Sequence, residues 1–257
     1  MMRLSSVLFG LLFLVASGCW PNYREDLDYN YEVVQTWPIE ELNFGDLVQF
    51  NSVTFAPDDT ATLRDMIVND AIVNNRDVLQ IGIDTGLVSL LCLQNDARKV
   101  VAIDSNTAAI ENTRYNAARL QSEENLDVRL IPPDGSSPFS VLAADEKFDI
   151  VICNLPWQEN PLSHNGDKTP QATVRQDAIL DALPKRLQVG GRCLIIYGNK
   201  SAVERLQGQS KQRPLQFKQL DDRTLDTLSE NFQPGMLIEL RLSIPTEVVS
   251  DGEFVTP

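Results

Sequence analysis

Residues 77–104 decide the fold, and they read DVLQIGIDTGLVSLLCLQNDARKVVAID. Residues 78–82 form a short apolar run that ends in glycine, which is typical of a buried strand. The apolar run 87–93 predicts a helix, and Lys99–Asp104 predicts a second buried strand that stops at a carboxylate. Strands that are apolar on both faces and alternate with helices indicate a mostly parallel sheet covered on both sides.

The same alternation continues through the rest of the chain. Asp58 to Thr60 offers an N-cap, residues 47–55 predict a short hairpin, and Gly190-Gly191 predicts a turn. The other predicted helices are residues 58–72, 107–120 and 177–187. The other predicted strands are residues 128–131, 148–153, 192–197, 215–220 and 236–244, the last two as an antiparallel pair. The predicted fold class is therefore α/β, a doubly wound, mostly parallel seven-stranded sheet with an antiparallel edge, over residues 44–257.

The composition limits the classes of function. The chain has 257 residues, of which 43% are hydrophobic, enough for a globular domain with a core. A formal net charge of −14 argues against a nucleic-acid surface as the main binding face, because phosphate contacts need clustered Lys and Arg. His164 is the only histidine, and no pair of cysteines has metal-ligand spacing. Neither a metal site nor a Ser-His-Asp hydrolase is predicted.

Residues 1–18 have the layout of an export signal. Arg3 is followed by an apolar run that is too short to span a bilayer, and Ala16-Ser17-Gly18 places small residues before Cys19. This resembles a bacterial lipobox, which implies cleavage after Gly18, lipidation of Cys19 and a membrane-anchored lipoprotein on the periplasmic side. Residues 19–43 are then a tether. The alternatives are an uncleaved signal anchor, or a start codon assigned too far upstream and a cytoplasmic protein.

Glycines and carboxylates cluster where the first two strands end. Ligands of doubly wound sheets bind beyond the carboxyl ends of the strands, and here that end carries Gly82, Asp84 and Gly86, with Asp104 one strand over. This turn and the helix over residues 107–120 resemble the cofactor motif D-x-G-x-G-x-G of class I S-adenosylmethionine-dependent methyltransferases. The resemblance implies a Rossmann-like methyltransferase fold, S-adenosyl-L-methionine as the cofactor, and Asp104 as the residue that binds the ribose hydroxyls.

Two residues depart from that motif, and a third matches another family position. Gln80 stands where the family has an aspartate that helps to orient the methionine amine. Asp84 replaces the middle glycine, so its charge either pairs with the sulfonium or ammonium of the cofactor or blocks the pocket. Asp134 stands where the family often has an aspartate that contacts the adenine amino group; the alternative is a turn residue beside Gly135.

The strand Phe148–Cys153 ends in Asn154-Leu155-Pro156-Trp157, which resembles the Asn-Pro-Pro-Tyr loop of methyltransferases that modify planar nitrogens. A planar NH₂ is a poor nucleophile because its lone pair is delocalised. An asparagine oxygen and the next backbone carbonyl can each accept one of its hydrogens, which holds the nitrogen in line with the methyl group. The resemblance gives these roles to Asn154 and the carbonyl of Leu155, before Pro156, and gives Trp157 the role of stacking on the substrate.

Residues 55–60 resemble the stretch before the catalytic domain of HemK-type glutamine methyltransferases, so the suspected family is the HemK-like, small-domain methyltransferases. The leading hypothesis is an S-adenosylmethionine-dependent N-methyltransferase that acts on a planar nitrogen, a protein glutamine amide, with nucleic acid the poorer substrate. The alternative is a non-catalytic, membrane-anchored binding or scaffold lipoprotein with a degenerate methyltransferase fold. A nicotinamide-dependent oxidoreductase would explain Asp104 but gives no role to the loop that begins at Asn154.

Overall fold

The computed structural model describes residues 24–43, 45–132, 137–154 and 176–243. The strands are β1 (Val33–Trp37), β2 (Leu47–Phe50), β3 (Asp77–Ile81), β4 (Lys99–Asp104), β5 (Leu126–Leu130), β6 (Phe148–Cys153), β7 (Leu187–Asn199), β8 (Leu215–Gln219) and β9 (Asn231–Leu242). The α-helices are α1 (Ala61–Val68), α2 (Leu87–Gln94), α3 (Thr107–Arg119), α4 (Gln176–Arg186) and α5 (Lys200–Ser210). Short 3₁₀ helices cover Pro57–Thr60, Pro138–Val141 and Leu225–Thr227.

The sheet has the predicted architecture. Its seven strands lie in the order β5-β4-β3-β6-β7-β9-β8. Neighbours among β3 to β7 pair in parallel, whereas β9 runs antiparallel to both β7 and β8. The predicted doubly wound, seven-stranded sheet with an antiparallel edge is therefore confirmed.

Helices cover both faces of the sheet because the central strands are apolar on both sides. Leu79 of β3 is fully buried in a cluster that includes Leu183 of α4, while its neighbour Val78 is buried in a second cluster with Leu90 of α2. Successive side chains of a strand point to opposite faces. The near-continuous apolar runs that predicted these strands are thus the residues that hold the two helical layers.

The small β1–β2 sheet differs from the predicted hairpin. β2 pairs antiparallel with β1, which lies within the stretch predicted as a tether. On its other side β2 is bound by two buried asparagines of α3: Asn112 Oδ1 accepts the Phe50 N–H (2.9 Å) and Asn116 Oδ1 accepts the Val48 N–H (2.9 Å). Both side chains also donate to the Val48 carbonyl. The asparagines act as an extra strand for β2, which fixes it against the main domain.

Two local predictions were wrong, and one helix was not predicted. The predicted turn at Gly190-Gly191 lies inside β7, where Gly190 has φ +78° and the pairing register with β6 shifts. A Cβ on Gly191 would lie 3.0 Å from the Asp149 carbonyl oxygen, so the glycines serve a bulge. The predicted cap at Asp58 to Thr60 is a 3₁₀ turn without a side-chain capping bond, and α1 ends at Val68. Helix α5 was not predicted, because few apolar residues are spread among its polar ones.

In the part of the chain that the structure describes, no helix has both the length and the apolar character needed to cross a bilayer.

Candidate active site

Polar residues from three separate strands meet at one edge of the sheet. β3 lies between β4 and β6, and all three run in the same direction. Their carboxyl ends therefore place the turn after β3 between Asp104, the last residue of β4, and Asn154, which follows β6. The structure brings together the predicted residues Gln80, Asp84, Asp104 and Asn154 at this edge.

The turn after β3 depends on left-handed backbone at three alternate residues. Gly82 has φ +78°, Asp84 has φ +48° and Gly86 has φ +88°. Gly86 also needs to lack a side chain, because a Cβ there would lie 2.9 Å from Cγ2 of Thr113 on α3. Glycine adopts such φ values without steric cost, whereas aspartate tolerates them less well. Asp84 is thus held in a backbone conformation that its neighbours must stabilise.

Gln80, in β3, supports this turn through hydrogen bonds of its side chain. It is 1% exposed, its Nε2 donates to the Gly82 carbonyl (3.0 Å), and its Oε1 accepts from the Ser89 hydroxyl (2.5 Å). Both ends of the amide are therefore bound within the protein. A residue predicted to bind the cofactor lies at the site, and its described contacts are those of a turn support.

Asp104 ties the turn to the end of β4. Its Oδ2 accepts the Ile83 N–H (2.8 Å) and its Oδ1 accepts the Asn106 N–H (2.8 Å). Burial raises the pKa of this carboxyl group above its usual range, although the backbone N–H groups around it act in the opposite direction. Each carboxylate oxygen can accept more than one hydrogen bond, so Asp104 can hold the turn and still accept hydroxyl groups of a ligand.

Asp84 lies at the centre of the site. Its Oδ1 accepts from the Thr54 hydroxyl (3.1 Å), and its Oδ2 accepts from Nδ2 of Asn154 (3.3 Å). Burial, followed by the charges of Asp104 and Asp59, raises the pKa of the Asp84 carboxyl group to about 7, against the effect of the Thr54 hydrogen bond. Among the described residues no Lys or Arg forms a hydrogen bond or ion pair with it.

Asn154 is oriented by two hydrogen bonds. Its backbone N–H donates to the Ile81 carbonyl (3.0 Å), which continues the pairing of β6 with β3 beyond the strand end. Its side-chain Nδ2 donates to Asp84. The two donor hydrogens of an asparagine side chain are on nitrogen, and its oxygen is purely an acceptor. With Nδ2 directed at Asp84, Oδ1 receives no donor from the described part of the chain and can bind an N–H of a ligand.

Five further predicted residues lie outside the described residues. They are Cys19, Asp134, Leu155, Pro156 and Trp157.

Sequence reasoning missed several residues of the site. Thr54 binds Asp84 from 30 residues away in the chain, and Ser89 binds Gln80 from the other side of the turn, nine residues away. Nothing in the local sequence signals either contact. Asn106 is different, because an asparagine directly before a helix is a common N-cap; its Oδ1 accepts the Ala108 N–H, and its Nδ2 donates to Ser52. This residue could have been found.

A cavity lies beside the turn. Its volume is about 10 Å³, which is room for about one water molecule. Its described lining consists of Phe55, Ala56, Thr60, Gln80, Ile83, Asp84, Thr85, Leu87, Val88 and Asn154.

Comparison with known proteins connects this site to a family. The methyltransferase small domain matches residues 58–214. A protein of Methanocaldococcus jannaschii, provisionally named a protein N5-glutamine methyltransferase, is 28% identical over 167 residues, which are 60% of this chain and 76% of that protein. A tRNA1(Val) (adenine(37)-N6)-methyltransferase of Phocaeicola vulgatus is 27% identical over 95 residues, 37% of this chain and 38% of that enzyme.

A solved structure shows the same fold. The 16S rRNA N2 G1207 methyltransferase of T. thermophilus, in complex with AdoMet and guanosine, has a TM-score of 0.53 and 15% identity, and the match covers 80% of this chain and 50% of that one.

The carboxyl groups of the site fit the predicted cofactor. The spare acceptor capacity of Asp104 suits the ribose hydroxyls of S-adenosylmethionine, and the carboxyl group of Asp84 suits the positive charge of its sulfonium or ammonium. The chain belongs to the methyltransferase small domain family, whose methyl donor is S-adenosylmethionine.

Proposed function

We propose that this protein is an S-adenosylmethionine-dependent N-methyltransferase and that its acceptor is a planar nitrogen, the side-chain amide of a protein glutamine. The observation that carries the proposal is the position of Asn154. It stands at the carboxyl end of β6, beside the turn after β3, with Nδ2 directed at Asp84 and Oδ1 left to accept a hydrogen bond.

The arrangement suits a nitrogen that is hard to alkylate. The cofactor supplies a methyl group made electrophilic by its bond to a positively charged sulfur. Asn154 Oδ1 accepts one N–H of the acceptor amide, which holds that nitrogen at a fixed point beside the turn. The hydrogen bond also stabilises the positive charge that develops on nitrogen as the new N–C bond forms. The methylated nitrogen then loses its proton to water, so no strong general base is needed.

Two considerations favour a protein acceptor over a nucleic acid. The relative from Methanocaldococcus jannaschii is named for action on protein glutamine, and the match spans 76% of it, whereas the match to the tRNA enzyme spans 38% of that enzyme. The net charge of −14 also opposes binding to a phosphate backbone, because binding there depends on neutralising phosphates with Lys and Arg.

Transfer of labelled methyl groups tests the proposal. The wild-type protein is incubated with methyl-labelled cofactor and either peptides that contain glutamine, the same peptides with asparagine in its place, or bulk tRNA. We expect label on the glutamine peptides, and mass spectrometry should place one added methyl group on the side-chain nitrogen. Label on tRNA instead of peptide would overturn the protein substrate.

Substitution of the proposed acceptor-binding residue tests its role. We expect Asn154→Ala to reduce turnover by at least about 100-fold, the scale of losing one transition-state hydrogen bond, with little change in cofactor affinity. The matched control is Asn69→Ala, because the side chain of Asn69 is exposed and bonds only to Asp65 among the described residues. Equal loss of turnover and cofactor affinity in Asn154→Ala would contradict the assigned role.

A second candidate is a non-catalytic binding protein that retains the methyltransferase fold, anchored to a membrane through Cys19. One observation favours it: the cavity beside the turn has room for about one water molecule. Calorimetric titration of S-adenosylmethionine into the wild-type protein and Asp104→Ala separates the candidates. Binding that the substitution abolishes supports the enzyme, and absence of binding to both supports the binding protein. Membrane fractionation of wild type and Cys19→Ser tests the anchor.

A further inference from the structure

The cleft at the carboxyl ends of β3 and β4 is acidic and has no compensating cation among the residues that the structure describes. Asp84, in the turn, faces Asp104 at the end of β4 and Asp59 in the 3₁₀ helix. The groups that bind its carboxyl group, Thr54 and Asn154, are neutral. Asp84 and Asp104 are half-buried, and a positive charge on a ligand would stabilise two such carboxylates in one cleft.

The proposed reaction would bring such a charge into this cleft, and the inference rests on the role proposed for Asn154. An amide nitrogen held by Asn154 Oδ1 lies about 3 Å from that oxygen. The methyl carbon must approach within about 3 Å of the same nitrogen before transfer, and the sulfonium is one bond beyond it. Asp84 Oδ2 is itself 3.3 Å from Nδ2 at the other end of the same amide, so the charged sulfur would lie in the cleft that Asp84 lines.

We propose that Asp84 is a specificity-determining residue for the charge of the cofactor: its carboxylate is the counter-ion of the sulfonium, which selects the methyl donor over the neutral thioether product, S-adenosylhomocysteine. The two compounds carry the same ribose, adenine, ammonium and carboxylate groups. They differ in the methyl group and in the charge on sulfur. A carboxylate that pairs with the positive sulfur binds the donor more tightly before transfer and the neutral product more weakly after it.

Binding of the donor should be coupled to the protonation of Asp84. Because the carboxyl group is buried and faces Asp104 and Asp59, its pKa is about 7. A sulfonium beside it favours the charged form, so binding of the donor at neutral pH should displace a proton from Asp84.

The test is calorimetric titration of the full-length protein with S-adenosylmethionine and with S-adenosylhomocysteine. At pH 7 about half of the Asp84 carboxyl groups are protonated if the pKa is about 7. We expect the methyl donor to release up to about half a proton per site, measured in two buffers that differ in ionisation enthalpy, and the thioether to release none. The donor should bind about tenfold or more tightly than the thioether, the scale of one charge-assisted contact.

Three variants complete the test. Asp84→Asn carries no charge; its one side-chain oxygen can accept from Asn154 Nδ2 while its NH₂ donates to the Thr54 hydroxyl. We therefore expect the preference for the donor to fall to within about twofold of unity and proton release to disappear. Asp84→Gly also removes the charge, and it places at this left-handed position a residue that adopts the backbone conformation without strain. Asp70→Asn is the matched control, since Asp70 is exposed just after α1 and its substitution changes net charge equally; it should behave as wild type.

The outcomes are distinguishable. An unchanged preference in Asp84→Asn, or proton release that is equal for both compounds, overturns the inference. Absence of binding of either compound to the wild-type protein overturns it together with the cofactor site. Turnover that survives in Asn154→Ala contradicts the proposed function, while the preference for the charged donor is still read from binding alone. Thermal unfolding of each variant shows that the compared proteins are folded.

Discussion

Replacing Asn116 with alanine should destabilise the protein strongly, because this side chain ties three parts of the fold together. It is fully buried on α3, its Oδ1 accepts the Val48 N–H (2.9 Å), and its Nδ2 donates to the carbonyls of Val48 (2.7 Å) and Thr85 (2.9 Å). Thr85 belongs to the turn that carries Asp84. The substitution therefore affects both the attachment of β2 and the support of the turn after β3.

The size of the effect follows from the groups that lose their partners. In Asn116→Ala the Val48 carbonyl keeps its bond from Asn112 (2.8 Å), but the Val48 N–H loses Asn116 and the Thr85 carbonyl loses its side-chain donor. A buried backbone group left without a partner costs about 1–3 kcal/mol. The expected loss is about 4 kcal/mol of the free energy of unfolding. Asn112→Ala is the matched control, because it leaves one such group, the Phe50 N–H, at about 2 kcal/mol.

Urea denaturation followed by tryptophan fluorescence measures both values. The midpoint should fall about twice as far for Asn116→Ala as for Asn112→Ala, with similar slopes in both proteins. Cofactor affinity should fall further in Asn116→Ala, since Asn116 donates to the Thr85 carbonyl in the turn, whereas the side chain of Asn112 bonds only to Phe50 and Val48 among the described residues. A loss below about 1 kcal/mol for Asn116→Ala, or the reverse order of the two variants, would refute the reasoning.

Three other predictions follow from the same turn. Gly86→Ala should destabilise the protein by about 2–3 kcal/mol, because Gly86 has φ +88° and a Cβ there would lie 2.9 Å from Thr113. The control Gly208→Ala should stabilise the protein by about 0.5–1 kcal/mol, because Gly208 lies in α5 with open space around it. Thermal unfolding measures both effects. The pKa of Asp84 is raised from 3.8 to about 7, so between these pH values the folded protein binds a proton that the unfolded chain does not. The contribution of Asp84 to the free energy of unfolding should therefore fall as pH rises from about 4 to 7, by at most about 4 kcal/mol. Denaturation of wild type and Asp84→Asn across this range isolates that contribution, and identical pH profiles would exclude it. Gln80→Asp alone should lower both stability and cofactor affinity, because it adds a carboxylate near the Gly82 carbonyl. The double variant Gln80→Asp/Asp84→Gly should lose less cofactor affinity than the sum of the losses in the two single variants, which calorimetry measures.

The sequence predicted the parts of the fold that depend on apolar runs. The bounds of β4 and β6 were predicted to the residue, because each contains an unbroken run of four apolar residues, 100–103 and 150–153, that stops at a polar residue. The pair Gly190-Gly191 was misassigned, since glycine marks a bulge as readily as a turn and only the neighbouring strand decides between them.

The site was predictable where it depends on strand ends and obscure where it depends on distant contacts. That Asp84, Asp104 and Asn154 lie together follows from the alternation of strands, because parallel strands end at the same edge. The bond from Thr54 to Asp84 and the bonds from Asn116 to β2 join residues 30 and 68 positions apart. Nothing in the local sequence identifies such partners, since an asparagine in a helix carries no mark of the strand that it binds.

The two departures from the family motif can be understood as one change. The motif has a carboxylate at the position of Gln80 and glycine at the position of Asp84; here the amide is on the strand and the carboxylate is in the turn. Gln80 is fully bound by Ser89 and the Gly82 carbonyl, and a carboxylate cannot donate to that carbonyl. An amide suits the buried strand position, and the carboxylate stands four residues further along the chain, beside Asn154. The segment from β3 to α2 thus carries one carboxylate at this edge, as the motif does, but places it in the turn, where it contacts Asn154.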